Sequence, residues 1–241
     1  MSVKGINSIG ELLASNSYPG RGIIIGQSKD GKNAMIAYFI MGRSANSRNR
    51  IFERYDGGMR TKAFDESKLE DPSLIIYNPF LERENIDIVT NGDQTDTVFN
   101  ALAEGKTFEE GLRTREFEPD HPNYTPRISG INYYCFPRNV FTYKLSILKS
   151  ADGNPEVCNR YFYEYTPMKG IGHFIHTYEC DGNPIPSFYG EPEVVTFPNT
   201  AEELAEVVWN NLNADNKVSL FVRAVPLDGS KPVEIIINKN V

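Results

Sequence analysis

The sequence is poor in the residues that most often carry metal or redox chemistry. It has three cysteines, three histidines and one tryptophan in 241 residues. Cys135, Cys158 and Cys180 are odd in number, far apart and without a C-x-x-C pair. That spacing points to free thiols in a reducing compartment, not to a disulfide framework or a thiolate zinc site. His173 and His176 lie three apart in a strand-like run. They would face opposite sides of a sheet, which disfavours joint metal ligation. Neither a metal nor a cofactor is expected. No apolar run approaches the ~20 residues of a membrane helix, and no basic, then apolar, leader opens the chain. A cytoplasmic protein without membrane partners is expected. A glycine-rich phosphate loop and a dinucleotide fingerprint are both missing, which argues against a nucleoside triphosphate or NAD. Positive charge is scarce overall: the net charge is −7, so a nucleic acid is not the expected partner. Gly/Ser linkers, low-complexity tracts and repeats are absent, and residues 1–241 read as a single domain.

Against this acidic background the basic residues are unevenly spread. Four of thirteen arginines, Arg43, Arg48, Arg50 and Arg54, fall within the twelve residues 43–54. They follow AMIAYFIM (34–41), which reads as a buried strand. Arginines leaving a strand end are placed to line a pocket, and their planar forks suit phosphate or carboxylate. Ser44, Asn46, Ser47 and Asn49 add short hydrogen-bonding side chains, which also bond turns locally. The competing reading is a solvated strand end whose arginines pair with Glu53 and Asp56; charge alone leaves the two balanced.

The rest of the chain reads as hairpins with a few helices. Asp-Gly, a tight-turn dipeptide, recurs at 30–31, 152–153, 181–182 and 228–229 between β-branched or aromatic runs. Capping-box spacing marks helix starts at Ser8/Glu11, Thr107/Glu110 and Thr200/Glu203. Residues 95–104 carry a further helical pattern, and Leu204, Val207, Val208 and Leu212 form one stripe, with Trp209 as packing surface. Helices beside antiparallel hairpins indicate an α+β layered domain, with 115–127 as a proline-stiffened crossing.

Several other stretches have chemical potential, each with a plainer alternative. YPGRG (18–22) delivers Arg21 from a Pro-Gly turn at a strand start, and Gly20 and Gly22 would permit close backbone approach; an ordinary turn is the simpler reading. TNGDQTD (90–96) ends a strand and opens a helix, with Asn91 and Asp93 near free backbone N–H groups; Asp93 or Thr95 as a plain helix cap is the alternative. FEPDHPNYTPRISG (117–130) holds Glu118, Asp120, His121, Tyr124 and Arg127 on a loop with three prolines.

In order, YPGRGIIIG, MGRSANSRNR, IIYNPF, TNGDQTD and NYTPRISG resemble the archaeal-type inosine monophosphate cyclohydrolases and their bacterial relatives. The resemblance runs from about residue 18 to 195. It implies an N-terminal-nucleophile hydrolase-like fold, a four-layer αββα sandwich of two mainly antiparallel sheets. It implies ring closure of 5-formamidoimidazole-4-carboxamide ribonucleotide to inosine monophosphate and water, within purine biosynthesis. By motif position it implies Arg48 and Tyr77 as donors at the reacting groups and Glu118 as the acid/base group. Arg21, Arg43, Ser44 and Arg127 are expected to contact phosphate or base, and Asn91 and Asp93 to hold the nucleotide. Arg48 and Arg50 are two apart, so a small shift of alignment exchanges them. An amide hydrolase acting on another anion, and a non-catalytic purine-nucleotide module, remain alternatives, since fold does not fix function. Assembly as a homo-oligomer is left open.

Overall fold

The computed structural model describes residues 5–69, 76–151 and 153–241. Two antiparallel sheets lie face to face. One has six strands in the order β11 (Glu193–Thr196), β10 (Ile171–His176), β1 (Arg21–Gln27), β2 (Asn33–Met41), β12 (Lys217–Pro226) and β13 (Val233–Asn238). The other has seven, side by side in chain order: β3 (Arg50–Tyr55), β4 (Gly58–Ala63), β5 (Phe80–Arg83), β6 (Ile86–Thr90), β7 (Arg127–Cys135), β8 (Val140–Ala151) and β9 (Asn154–Tyr165).

Side-chain alternation builds the layers. Ile23, Ile25, Ile36 and Tyr38 of the first sheet meet Phe52, Phe80, Val89 and Leu145 of the second in one apolar layer. Their chain neighbours Ile24, Met35, Ala37 and Phe39 point the other way, onto α1 (Ile9–Ser15) and α5 (Ala201–Asn211). On the far face of the second sheet, Val98 of α3 (Gln94–Ala103) and Phe108 and Leu112 of α4 (Phe108–Leu112) pack on Ile88, Ile131 and Leu148. Strands covered on both faces read as unbroken apolar runs, which is why AMIAYFIM shows no alternation. The result is an α+β protein of two large antiparallel sheets with few helices.

Local signals explain most of the elements. The capping boxes at Thr107/Glu110 and Thr200/Glu203 are formed, and Ser8 accepts from the Glu11 N–H. Asp30-Gly31 joins β1 to β2 and Asp228-Gly229 joins β12 to β13, both glycines having positive φ. Gly153 likewise turns β8 into β9, while Asp152 lies outside the described residues. Asp181-Gly182 behaves differently. It sits in a long loop between β10 and β11, where the arm is held by a Tyr178–Ser187 bridge. Pro184 and Pro186 cannot donate ladder bonds, so no regular hairpin forms there. A further hairpin, β3 to β4, turns at Asp56-Gly57 with the same dipeptide signature.

One charged group interrupts the intersheet layer. Arg223 on β12 pairs with Glu82, Asp87 and Glu234, and Arg54 pairs with Glu82 and Glu234. Arg54 is thus a structural arginine, but its partners are not the neighbours Glu53 and Asp56. Adjacent strand residues face opposite sides, and Glu53 pairs with Arg60 instead.

Candidate active site

Several strand ends meet at one end of the intersheet layer. Arg21 opens β1, Arg50 opens β3 and Arg127 opens β7, while Asn91 follows β6. The Tyr77 backbone is tied to β4, where the Thr61 N–H donates to the Tyr77 carbonyl at 2.9 Å.

Arg21 is held by its own backbone. Its N–H donates to Thr177 Oγ1 at 3.1 Å, its carbonyl accepts from the Thr177 N–H, and the Tyr178 N–H reaches the Pro19 carbonyl. Gly20 has φ +79°, and a Cβ there would sit 2.3 Å from Thr177 Oγ1, so the turn needs glycine. Gly22 serves packing, since a Cβ would strike Phe39 and Phe174 on the opposite face of the sheet.

The Arg21 guanidinium points inward and lies 3.6 Å from the Glu118 carboxylate. Glu118 is carried on the 113–126 crossing. Its N–H donates to the Thr125 carbonyl, and Asp120 accepts from the N–H and hydroxyl of Thr125, closing the loop on itself. The Thr125 hydroxyl also bonds the Tyr178 hydroxyl, tying the loop to the first sheet. Glu118 is 2% exposed. Burial raises its pKa, against the opposing pull of Arg21 and Arg127. Burial works against the Arg21 charge, but Glu118 and the surrounding tyrosines outweigh it and the net effect is upward.

Across from this pair, the Tyr38 hydroxyl of β2 and the Tyr77 hydroxyl, from the segment before β5, bond each other at 2.8 Å. Burial raises the Tyr77 pKa while Arg50 and Arg21 pull it down. Arg50 is 1% exposed. It donates through Nε to the Ser47 carbonyl at 2.8 Å and through one terminal nitrogen to the Met41 carbonyl. Burial, and then the charge of Arg21, lowers its pKa. Its other terminal nitrogen, and Nε of Arg21, are buried with no partner among the described residues. Two guanidiniums, a carboxyl whose pKa burial raises and a hydroxyl couple therefore converge, with donors to offer an anionic oxygen.

Not every expected residue joins this cluster. Arg48 is expected at the reacting groups; it lies outside the buried cluster, whereas Arg50 lies within it. The Ser44/Ser47 capping box winds one turn, α2 (Ala45–Arg48), which leaves Arg48 exposed. Arg48 donates to the Gly42 carbonyl and to Asn216. Ser44 is occupied as that cap. Arg43 lies at the rim, paired with Asp181 and 5.1 Å over the Tyr18 ring. Arg127 is buried and bonds Gln94 and Asp93, and Arg115 shares the Asp93 carboxylate. Asp93 is therefore not a side-chain cap of α3. Asn91 is fully buried: it donates to the Pro126 carbonyl and accepts from the Ile128 N–H and Gln94, which ties the end of β6 to the start of β7. His173 and His176 do face opposite sides, towards Tyr143 and towards Phe174 and Phe188. Tyr38 and Tyr178 join the cluster although motif spacing did not single them out, while Thr125 belongs to the proline-stiffened loop read in the sequence. Tyr38 carried one signal, a lone hydroxyl inside an otherwise apolar run.

A family model described as IMP cyclohydrolase-like protein matches residues 18–229, which include every residue of the cluster. The chain belongs to that family. It is also 32% identical over 117 residues to a protein of Methanosphaera stadtmanae named IMP cyclohydrolase. That match covers 47% of this chain and 56% of the relative, so the chain spans about half the length of the relative it matches. Among the described residues no helix is long and apolar enough to cross a membrane.

Proposed function

We propose that this protein closes the ring of 5-formamidoimidazole-4-carboxamide ribonucleotide to give inosine monophosphate and water. The observation that carries this reading is the buried meeting of Arg21, Arg50, Glu118 and the Tyr38–Tyr77 couple inside the family-matched region. In the reaction, the carboxamide nitrogen attacks the formyl carbon. A C–N bond forms and negative charge gathers on the formyl oxygen. The unpartnered Arg50 nitrogen and the Tyr77 hydroxyl are the donors for that oxygen. Glu118 takes the proton from the attacking nitrogen and passes it to the oxyanion, giving the carbinol. It then takes the proton that the former formamido nitrogen gives up as the ring C=N bond forms and delivers it to the hydroxyl, so that the C–O bond breaks and water leaves. A carboxyl raised by burial suits both directions of transfer. Because nucleophile and electrophile belong to one molecule, fixing their orientation supplies much of the acceleration. Arg127 and Arg115, held at Asp93, and Arg43 at the rim are the cations for the 5′-phosphate.

The layer order supports reading the fold as N-terminal-nucleophile hydrolase-like, and the purine-biosynthetic role supports a cytoplasmic location. Incubation with the formamido nucleotide, followed by ultraviolet absorbance, tests the activity. Turnover should fall by about 10²–10⁴-fold in Glu118→Gln. Inosine monophosphate binding without turnover in the unmodified protein would favour a nucleotide-binding module. Failure to bind any purine monophosphate removes both readings.

A further inference from the structure

We infer that Tyr38 is a positioning residue for the ring closure: its hydroxyl donates to the Tyr77 hydroxyl and so commits the Tyr77 proton to the reacting oxygen. This role presupposes the cyclohydrolase reading, in which Tyr77 donates to the formyl oxygen. Tyr38 is fully buried in the middle of β2. It acts through Tyr77 and not on the ligand itself.

The surroundings of Tyr38 decide the direction of the bond. On its face of the sheet, Ile36 and Ile40 lie along β2, and Ile23 of β1 and Phe221 of β12 lie directly across. The Phe52 ring of the second sheet stacks on it, with ring centroids 5.6 Å apart. None of these side chains accepts a hydrogen bond. Among the described residues, the Tyr38 hydroxyl has one partner, the Tyr77 hydroxyl at 2.8 Å. One proton lies between the two oxygens, and the other proton of the couple must point elsewhere. With Tyr77 as donor, the Tyr38 proton would be stranded among hydrocarbon, a buried donor left unsatisfied. With Tyr38 as donor, its proton is satisfied and the Tyr77 proton is free for an acceptor brought into the site.

The charges around the couple agree with that direction. Burial, then Tyr77, raises the Tyr38 pKa well above the usual phenol range. Burial also raises the Tyr77 pKa, but Arg50, Arg21 and the bond from Tyr38 oppose it. Tyr77 is therefore the better proton donor of the two. Its backbone is fixed by Thr61, whose Oγ1 accepts from the Tyr77 N–H at 2.9 Å. Its hydroxyl is oriented by Tyr38. As charge gathers on the formyl oxygen, the Tyr77 oxygen gains electron density through the proton it shares. The Tyr38 hydroxyl stabilises that density without giving up its own proton. This explains a tyrosine inside AMIAYFIM, where phenylalanine would fill the same ring space without the cost of burying a hydroxyl.

Tyr38→Phe keeps the ring and removes the donor. For the formamido nucleotide, kcat should fall about tenfold with KM nearly unchanged. In a Tyr77→Phe background the same change should lower kcat no further, because its partner hydroxyl is already gone. A loss of packing would instead lower kcat in both backgrounds. A second readout does not need turnover. A polyfluorinated tyrosine is placed at position 77, where its more acidic phenol is titrated by fluorine NMR. Its pKa should rise in Tyr38→Phe, since the phenolate loses a donor, while Arg50, Arg21 and Glu118 act on it in both proteins. Tyr38 has no positioning role if Tyr38→Phe leaves kcat unchanged, if it lowers kcat equally in both backgrounds, or if the pKa at position 77 does not rise. A protein that never turns over the formamido nucleotide refutes the cyclohydrolase reading instead, and the fluorine titration then decides whether Tyr38 donates to residue 77.

Discussion

Arg48 and Arg50 are two residues apart, carry the same charge and belong to one motif, yet the structure gives them opposite surroundings, solvent for Arg48 and the buried cluster for Arg50. Replacing each in turn by methionine separates geometry from motif position. Arg50 is buried beside Tyr77 and Arg21 and has an unpartnered donor. Losing a donor aimed at a developing oxyanion costs about 2.7–4 kcal/mol, or roughly 10²–10³-fold in kcat. The same change leaves the Ser47 and Met41 carbonyls without their guanidinium. Each buried orphan acceptor costs roughly 1–3 kcal/mol. Removing a cation that burial and Arg21 already disfavour offsets part of this. A net loss near 2 kcal/mol corresponds to a Tm lower by about 4–8 °C for a chain of this size. Arg48 is exposed, and its loss should change stability by no more than about 0.5 kcal/mol and leave kcat near its original value. The assay is steady-state turnover of the formamido nucleotide, with inosine monophosphate affinity by calorimetry and Tm by scanning fluorimetry. Arg50→Lys shows whether charge alone suffices or the planar fork is needed. If Arg48→Met loses as much kcat as Arg50→Met, or if Arg50→Met turns over normally, the assignment of the oxyanion donor is wrong.

Two further outcomes follow from backbone and charge. Gly20→Ala forces a side chain into a left-handed turn, at a cost of about 1–2 kcal/mol, and drives a Cβ to within 2.5 Å of the Tyr178 ring. Tm should drop and kcat should fall as Arg21 shifts; a variant with both unchanged would show that the turn does not position Arg21. The buried Asp87 makes stability depend on pH, because burial lifts its carboxyl to about 6 against the pull of Arg223. The folded state holds that proton more tightly than the unfolded chain, whose value is near ~3.9. Its contribution is therefore favourable in acid and is lost as pH rises through that window. Between about pH 5 and pH 8 the loss is on the order of 1 kcal/mol. Urea unfolding at both pH values should show this decline in the unmodified protein and a flatter profile in Asp87→Asn; equal slopes would rule out Asp87 as the source.

The parts of the fold that could be read in the sequence are those set by short-range physics. Asp-Gly turns need positive φ, and capping boxes satisfy N–H groups within three residues, so hairpins and helix starts were visible without partners. The Asp181-Gly182 turn departs from the pattern: it lies in an arm held by the Tyr178–Ser187 bridge, and the prolines that follow cannot donate ladder bonds to extend it. The β3–β4 hairpin, not expected from the sequence, carries the same dipeptide signal at Asp56-Gly57.

For the site, sequence by itself determined the supply of groups: a basic stretch on an acidic chain, a stiffened loop bearing Glu118, and strand ends carrying Arg21, Tyr77 and Arg127. Tertiary structure decided which of them meet. One helical turn between Ser44 and Arg48 sets the phase of the chain, so that Arg48 leaves for solvent and Arg50 enters the layer. Sheet packing brings Tyr38, from the middle of an apolar strand, to the hydroxyl of Tyr77 in the segment tied to β4 of the other sheet. Burial, a property of the assembled layers and not of any residue, raises the Glu118 pKa and leaves the Arg50 charge disfavoured. Residue type fixes what a side chain can do, but the desolvation and facing that select among equivalent arginines exist only once the two sheets have closed over them.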